Sequence, residues 1–250
     1  MKRFLFVFIY LFFSNCLPKE EFSNVPSISF EKLEYIKSSN NINQDSINLT
    51  ISFTDGDGDL GLSNDDINFP YNPYDAIIDE NLNWVTLGST NVTPPLYLYK
   101  PNGSYSLFSN EDSRPSFSCQ DYIIDTVFQT TELDTFYIQK NENNKNIFVE
   151  YYIKNGENYE FIDWKKIFDK EYSCGLDFDS RFPPLNISSN SQSITGNLTY
   201  SMVSYGFKSI LENETFKLKI KIKDRGLNNS NIIETQDFTL TSILKENWSN

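Results

Sequence analysis

Residues 46–54 read SINLTISFT. Ile47, Leu49, Ile51 and Phe53 fall on one side of an extended chain, and Ser46, Asn48, Thr50, Ser52 and Thr54 on the other. That period of two is what a half-buried strand requires. A second stretch of the same kind, FKLKIKIK at residues 216–223, sets Phe216, Leu218, Ile220 and Ile222 inward and Lys217, Lys219, Lys221 and Lys223 outward. A helix would scatter those lysines over every face. DRGLNNSN at residues 224–231 is rich in turn formers, and Ile232 to Leu240 reads as a further strand, so this end of the chain predicts a hairpin.

Between these stretches lie more β-rich pieces: WVTLG (84–88), LYLYK (96–100), DTVF (125–128), TFYIQK (135–140) and IFVEYYIKNG (147–156). Gly, Pro and Asn separate most of them. The helical candidate is FIDWKKIFDK (161–170), with Trp164, Ile167 and Phe168 at roughly helical spacing. A hydrophobic content of 39%, with 16% aromatic, supplies a core for a chain of 250 residues and argues against disorder throughout. The fold predicted is mainly β. Residues 27–250 are expected to form an immunoglobulin-like antiparallel β-sandwich with a long decorated middle and one short helix.

The first residues are of another kind. Met1-Lys2-Arg3 precede the apolar run FLFVFIYLFF (4–13), followed by Ser14-Asn15-Cys16. The run is about half of a membrane-spanning helix and has the length and flanks of a signal-peptide h-region. It looks like a lipoprotein signal over residues 1–15, cut before Cys16, which would carry the lipid; Phe13 and Asn15 depart from the Leu and small residue usual at those positions. Residues 16–26 then read as lipidated cysteine and tether, holding a domain on a membrane through acyl chains worth about 0.8 kcal/mol per buried methylene. The expected location is the cell envelope, anchored to the outer membrane and facing either the surface or the periplasm.

Lys and Arg number 21 against 34 Asp and Glu, and the net charge of −13 repels nucleic acid and anionic surfaces. Histidine is absent from the sequence. That excludes Ser-His-Asp and Cys-His catalysis, His-ligated zinc and histidine pH switching. Cys119 and Cys174 remain once Cys16 is assigned, and an oxidising compartment favours a disulfide between them if the fold brings their Cα atoms within about 7 Å.

The strand of residues 46–54 runs into DGDGDLGL, with acids at Asp55, Asp57 and Asp59 and a later one at Asp66. These occupy positions 1, 3, 5 and 12 of the calcium-loop scheme, where a hard cation gathers several oxygens from one tight turn. Leu60 stands where that scheme needs glycine, Gly61 follows one place late, and a strand rather than a helix enters, which argues against a true EF-hand. Two readings stand: a Ca²⁺ loop, and a glycine-rich turn whose aspartates cap backbone amides. In a sandwich the loop after this strand and the loop after FKLKIKI emerge at one end, which would bring Asp224, Asn228 and Asn231 toward the acids.

FTDGDGDLG, DWKKIFDKEYSCGLDFDSRFPPLN, TYSMVSYGFKSIL and KDRGLNNSNIIET together resemble a group of uncharacterised lipoproteins found across Bacteroidota, over most of residues 27–241. The resemblance implies a surface or periplasmic lipoprotein with an immunoglobulin-like β fold, and it carries no activity to transfer to this chain. Arg181 lies beside Asp177 and Asp179, and is read either as their ion-pair partner or as a ligand-facing group; Phe182 is read as a core plug.

The function expected is therefore a non-enzymatic, lipid-anchored envelope protein stiffened by Ca²⁺. The alternative is an accessory lipoprotein of a nutrient-uptake system that binds a glycan or protein, with Trp84, Tyr97 and Tyr99 as a flat aromatic platform. A hydrolase working by carboxylates alone would need two acids about 5 to 9.5 Å apart across a deep cleft.

Overall fold

The computed structural model describes residues 22–38, 45–126, 133–185 and 192–245. The signal segment 1–15, Cys16 and the first part of the tether lie outside the described residues. The chain is mainly β, in three antiparallel sheets with two short helices. Among the described residues no helix is long and apolar enough to cross a membrane.

The first sheet has three strands. β2 (Asp45–Asp55) lies between β1 (Ser27–Ile36) and β10 (Ile194–Ser204). Ser27 pairs with Thr54 and Ile194 with Asp55, so both neighbours meet β2 where the acid loop begins. A register shift at Phe30/Lys32 bends the outer strand. The second sheet runs β12 (Ile233–Glu234), β11 (Phe216–Ile222), β8 (Ile147–Asn155) and β9 (Asn158–Phe161). β11 and β12 form the hairpin read from the sequence, although β12 is two residues long rather than nine.

One apolar cluster joins these two sheets. It takes Ile47, Leu49, Ile51 and Phe53 from β2, Val149 and Tyr151 from β8, and Phe216, Leu218, Ile220 and Ile222 from β11. Each aliphatic side chain so buried contributes about 1.5–3 kcal/mol relative to exposure. Tyr151 is fully buried among Trp164, Phe178, Phe207 and Phe216, with ring centroids 5.3–6.2 Å from its own, and its hydroxyl donates to Met202 Sδ at 3.3 Å.

Trp164 belongs to α1 (Trp164–Phe168), inside the predicted helical stretch and begun by the Asp163 side chain, which accepts from Lys166 N. Phe207 and Leu211 belong to α2 (Gly206–Leu211), so the expectation of one helix is corrected to two. Six residues are too few to display a helical period, and only the buried pair Phe207 and Leu211, four apart, carries it.

The long middle builds a third sheet of five strands, ordered β5 (Tyr105–Ser109), β4 (Leu96–Tyr99), β3 (Tyr74–Ile78), β7 (Asp134–Lys140) and β6 (Tyr122–Asp125). Ile77 and Tyr137 pack on one face and Ala76, Phe136 and Ile138 on the other, so both faces are covered. WVTLG adds only isolated bridges, Ile78 to Trp84 and Thr86 to Phe136. A disulfide joins Cys119, ahead of β6, to Cys174, beyond α1, with Cα atoms 4.9 Å apart. It fastens the middle sheet to the segment that follows α1.

Candidate metal centre

The alternation that buries Ile47, Leu49, Ile51 and Phe53 continues one step to Asp55, which is the last residue of β2 and 0% exposed. A carboxylate is thereby carried on the core face of a strand. The chain then turns sharply: Gly58 has φ +70° and Gly61 φ +108°, both in the left-handed region that favours glycine. A Cβ on Gly61 would stand 2.3 Å from Pro183 O and 2.4 Å from Pro184 Cα, so the residue must be glycine for a second reason. Leu60 drops into the core at 1% exposure, which explains the aliphatic residue where a helical calcium loop would have glycine.

Asp55, Asp57 and Asp59 each bring one carboxylate oxygen to within 4.8 Å of the others. Oxygens sharing one Ca²⁺ at about 2.3–2.6 Å stand at most about 5 Å apart, so the spacing fits that ion. Asp55 Oδ2 accepts from Asp59 N at 3.0 Å, and Asp59 Oδ2 accepts from Gly226 N at 2.9 Å. The Oδ1 atoms of all three aspartates are buried and accept no hydrogen bond. Among the described residues no Lys or Arg forms an ion pair with them.

Asp224, 2% exposed, lies beside the triplet. Its Oδ1 accepts from Asn228 N at 2.7 Å and its Oδ2 from Asn228 Nδ2 at 2.8 Å. The position of a Cβ on Gly226 is 3.3 Å from Asp224 Oδ1 and 3.5 Å from Asp59 Oδ2, so the absence of a side chain leaves the space between these two acids open. Burial first, then the charges of Asp57 and Asp59, pushes the Asp55 carboxyl up to about 6. Burial followed by the charges of Asp224 and Asp57 raises Asp59 to about 6 as well. Asp224 is also raised by burial, with Asn228 acting against it. Asp55, Asp57 and Asp59, with Asp224 beside them and no histidine or thiol among them, offer hard oxygen donors, suited to Ca²⁺ rather than to a softer metal.

The other residues singled out in the sequence are placed as follows. Asp66 does not join the triplet. Arg225 donates to it from Nη1 at 2.7 Å and from Nη2 at 3.1 Å, Ser63 N adds a bond of 2.7 Å, and the pair holds its carboxyl below the usual range. The twelfth position of the loop scheme is thus a clamp on Arg225. Asn231 secures β1, accepting from Ile28 N at 2.8 Å and donating to Ile28 O at 2.9 Å.

Arg181 pairs with neither Asp177 nor Asp179. Its guanidinium donates to three backbone carbonyls, of Asn144, of Ser63 at 2.9 Å and of Tyr71 at 3.0 Å. Asp177 pairs with Lys165 at 2.6 Å, while Asp179 accepts from Val149 N at 2.9 Å. Phe182 is in the core, its backbone matched at both ends by Asn146, a residue the sequence reading passed over. Trp84 meets Tyr99 edge-on at 87°, and Tyr97 meets Tyr105 at 78°, so these aromatic planes stand across one another and form no flat platform.

Comparison with known proteins yields no match of this chain to a family model, to a curated protein or to a solved structure.

Proposed function

We propose that this chain is a non-enzymatic, lipid-anchored protein of the cell envelope whose β domain is stiffened by Ca²⁺ held between Asp55, Asp57, Asp59 and Asp224. The observation that carries the cation is the set of three buried Oδ1 atoms without a hydrogen-bond partner. A buried acceptor left unpaired costs about 1–3 kcal/mol, more when charged, and a capped turn would have satisfied it. The ion neutralises the acids and fixes the loop; no step of chemistry is assigned to it. The signal-like residues 1–15 with Cys16 support the anchor, and so does the resemblance to Bacteroidota lipoproteins. We propose also that the two sheets sharing one core form an immunoglobulin-like sandwich, in keeping with the loops after β2 and β11 meeting at one pole.

The test is thermal melting and calorimetry of residues 17–250 with and without calcium. A ligand that binds only the folded state raises the melting temperature. Millimolar calcium that produced neither heat nor a shift would overturn the cation reading.

A further inference from the structure

The chain enters the described structure at the acid loop. Gly56 N donates to Ser23 O at 2.9 Å, a Cβ on Gly56 would stand 2.3 Å from Phe22 O, and Val25 N is held by Ser23 Oγ at 3.0 Å. Residues 22–25 thus lie against the turn between Asp55 and Asp57. Residues 17–21 alone separate Phe22 from Cys16. An extended chain advances at most about 3.6 Å per residue, so a lipid on Cys16 keeps this loop within about 22 Å of the bilayer surface.

The same pole carries apolar side chains in water. Ile67 is 60% exposed, Phe69 45% and Val25 48%. Ile67 and Phe69 lie between two residues that are both anchored on Arg225: Asp66 pairs with its guanidinium, and the Tyr71 hydroxyl donates to its carbonyl at 2.5 Å. Arg225 N in turn donates to Asp59 O at 3.4 Å. The apolar loop is therefore tied to the acid loop through Arg225. Lys100 Nζ stands 5.8 Å from the Phe69 ring centroid, adding a cation beside the apolar group.

We propose that this pole is a membrane-docking face whose occupant is the anionic lipid surface that anchors the chain. The proposal rests on the lipid-anchor and cation readings above, and it names the partner of that same site. Ile67, Phe69 and Val25 enter the boundary between headgroups and acyl chains, the level at which apolar side chains beside basic ones settle. Without a cation the acid loop repels anionic headgroups. Bound Ca²⁺ halves the charge of the four acids, from −4 to −2, and as an ion that takes six to eight oxygens it has places beyond those acids for lipid phosphate, so the headgroup contact runs through the ion against the negative charge of the rest of the chain.

The experiment floats residues 17–250, which contain every described residue, with vesicles of phosphatidylglycerol and phosphatidylcholine or of phosphatidylcholine alone, with calcium or chelator. Binding is expected with the anionic vesicles in calcium, and not in chelator or with phosphatidylcholine alone. A double variant, Ile67→Ser with Phe69→Ser, is expected to bind these vesicles about tenfold more weakly while calorimetry gives unchanged calcium affinity. Calcium binding without flotation, or flotation indifferent to the double substitution, overturns the docking face and leaves the cation reading intact. Absence of calcium binding overturns both.

Discussion

Gly226 N donates to Asp59 Oδ2 at 2.9 Å across 167 residues of sequence. The bond closes the acid loop after β2 against the turn after β11, and it leaves Asp59 Oδ1 with no partner. Substituting Gly226→Ala retains the amide but puts a methyl group 3.3 Å from Asp224 Oδ1 and 3.0 Å from Asn228 Nδ2. Calcium affinity is expected to fall about tenfold, equivalent to about 1.4 kcal/mol, with little change in calcium-free melting. Calorimetry on the variant checks it, and unchanged affinity would place the ion away from the space between Asp59 and Asp224.

Asp55→Asn separates the cation loop from a capped turn by its effect on stability. Asparagine keeps an oxygen for Asp59 N and replaces the unpaired Oδ1 with a donor facing Asp57 and Asp59. Without calcium the variant is expected to be more stable than the parent at neutral pH by about 1–3 kcal/mol, the penalty of a buried unsatisfied acceptor. It should also lose most of the melting shift that calcium gives the parent. A capping aspartate predicts little change in stability with or without calcium, because asparagine keeps the capping oxygen.

The raised acids fix the direction of a pH dependence. Asp55 and Asp59 lie near 6 in the fold against an ordinary value of 3.8, and Asp179 is likewise pushed up to about 6, by burial and then by Asp177. A folded state that holds the proton more tightly is favoured where the proton is bound. The contribution of these groups is fully present below about pH 4 and is lost as pH rises through about 6. The calcium-free chain should accordingly melt lower at pH 7 than at pH 5, and the shift produced by calcium should grow over the same interval. Asp66, lowered by Arg225, acts in the other sense at the acid end. The comparison is therefore made against Asp55→Asn with Asp59→Asn, in which the slope between pH 5 and pH 7 is expected to flatten.

What the sequence made legible were the features that repeat. The alternation in SINLTISFT identifies β2 and, carried to Asp55, already places a carboxylate on the core face. FKLKIKI shows the same alternation through Ile222, but Lys223 departs from it: β11 has ended, and the ammonium turns inward to Asn143 Oδ1 at 2.8 Å. Asp66 was misplaced because the twelve-residue spacing presumes a helical exit, whereas this chain exits through Gly61 pressed against Pro183 and Pro184. The middle sheet was hard to read because four of its five strands are four or five residues long, and two residues of either face are too few to show a period.

Arg181 illustrates the same limit, since its neighbours in sequence are acids and its partners in space are carbonyls. Three separate segments, at Ser63, Tyr71 and Asn144, converge on one guanidinium, and Tyr71 O accepts in addition from Asn144 Nδ2 at 2.7 Å. A planar fork of donors can serve three such acceptors together, whereas an ammonium on a shorter stem reaches one. Arg181→Lys should therefore cost about 3 kcal/mol, on a scale of about 1.5–3 kcal/mol for a hydrogen bond to a charged group. Calcium affinity should change by less than about threefold, a step of about 0.6 kcal/mol, because Asp55 and Asp59 are positioned by β2 and Gly226 rather than by Arg181. Denaturant unfolding and calorimetry on the one variant measure both quantities. Equal stability with parent would return Arg181 to the role of a ligand-facing cation, with its contacts to the three carbonyls incidental.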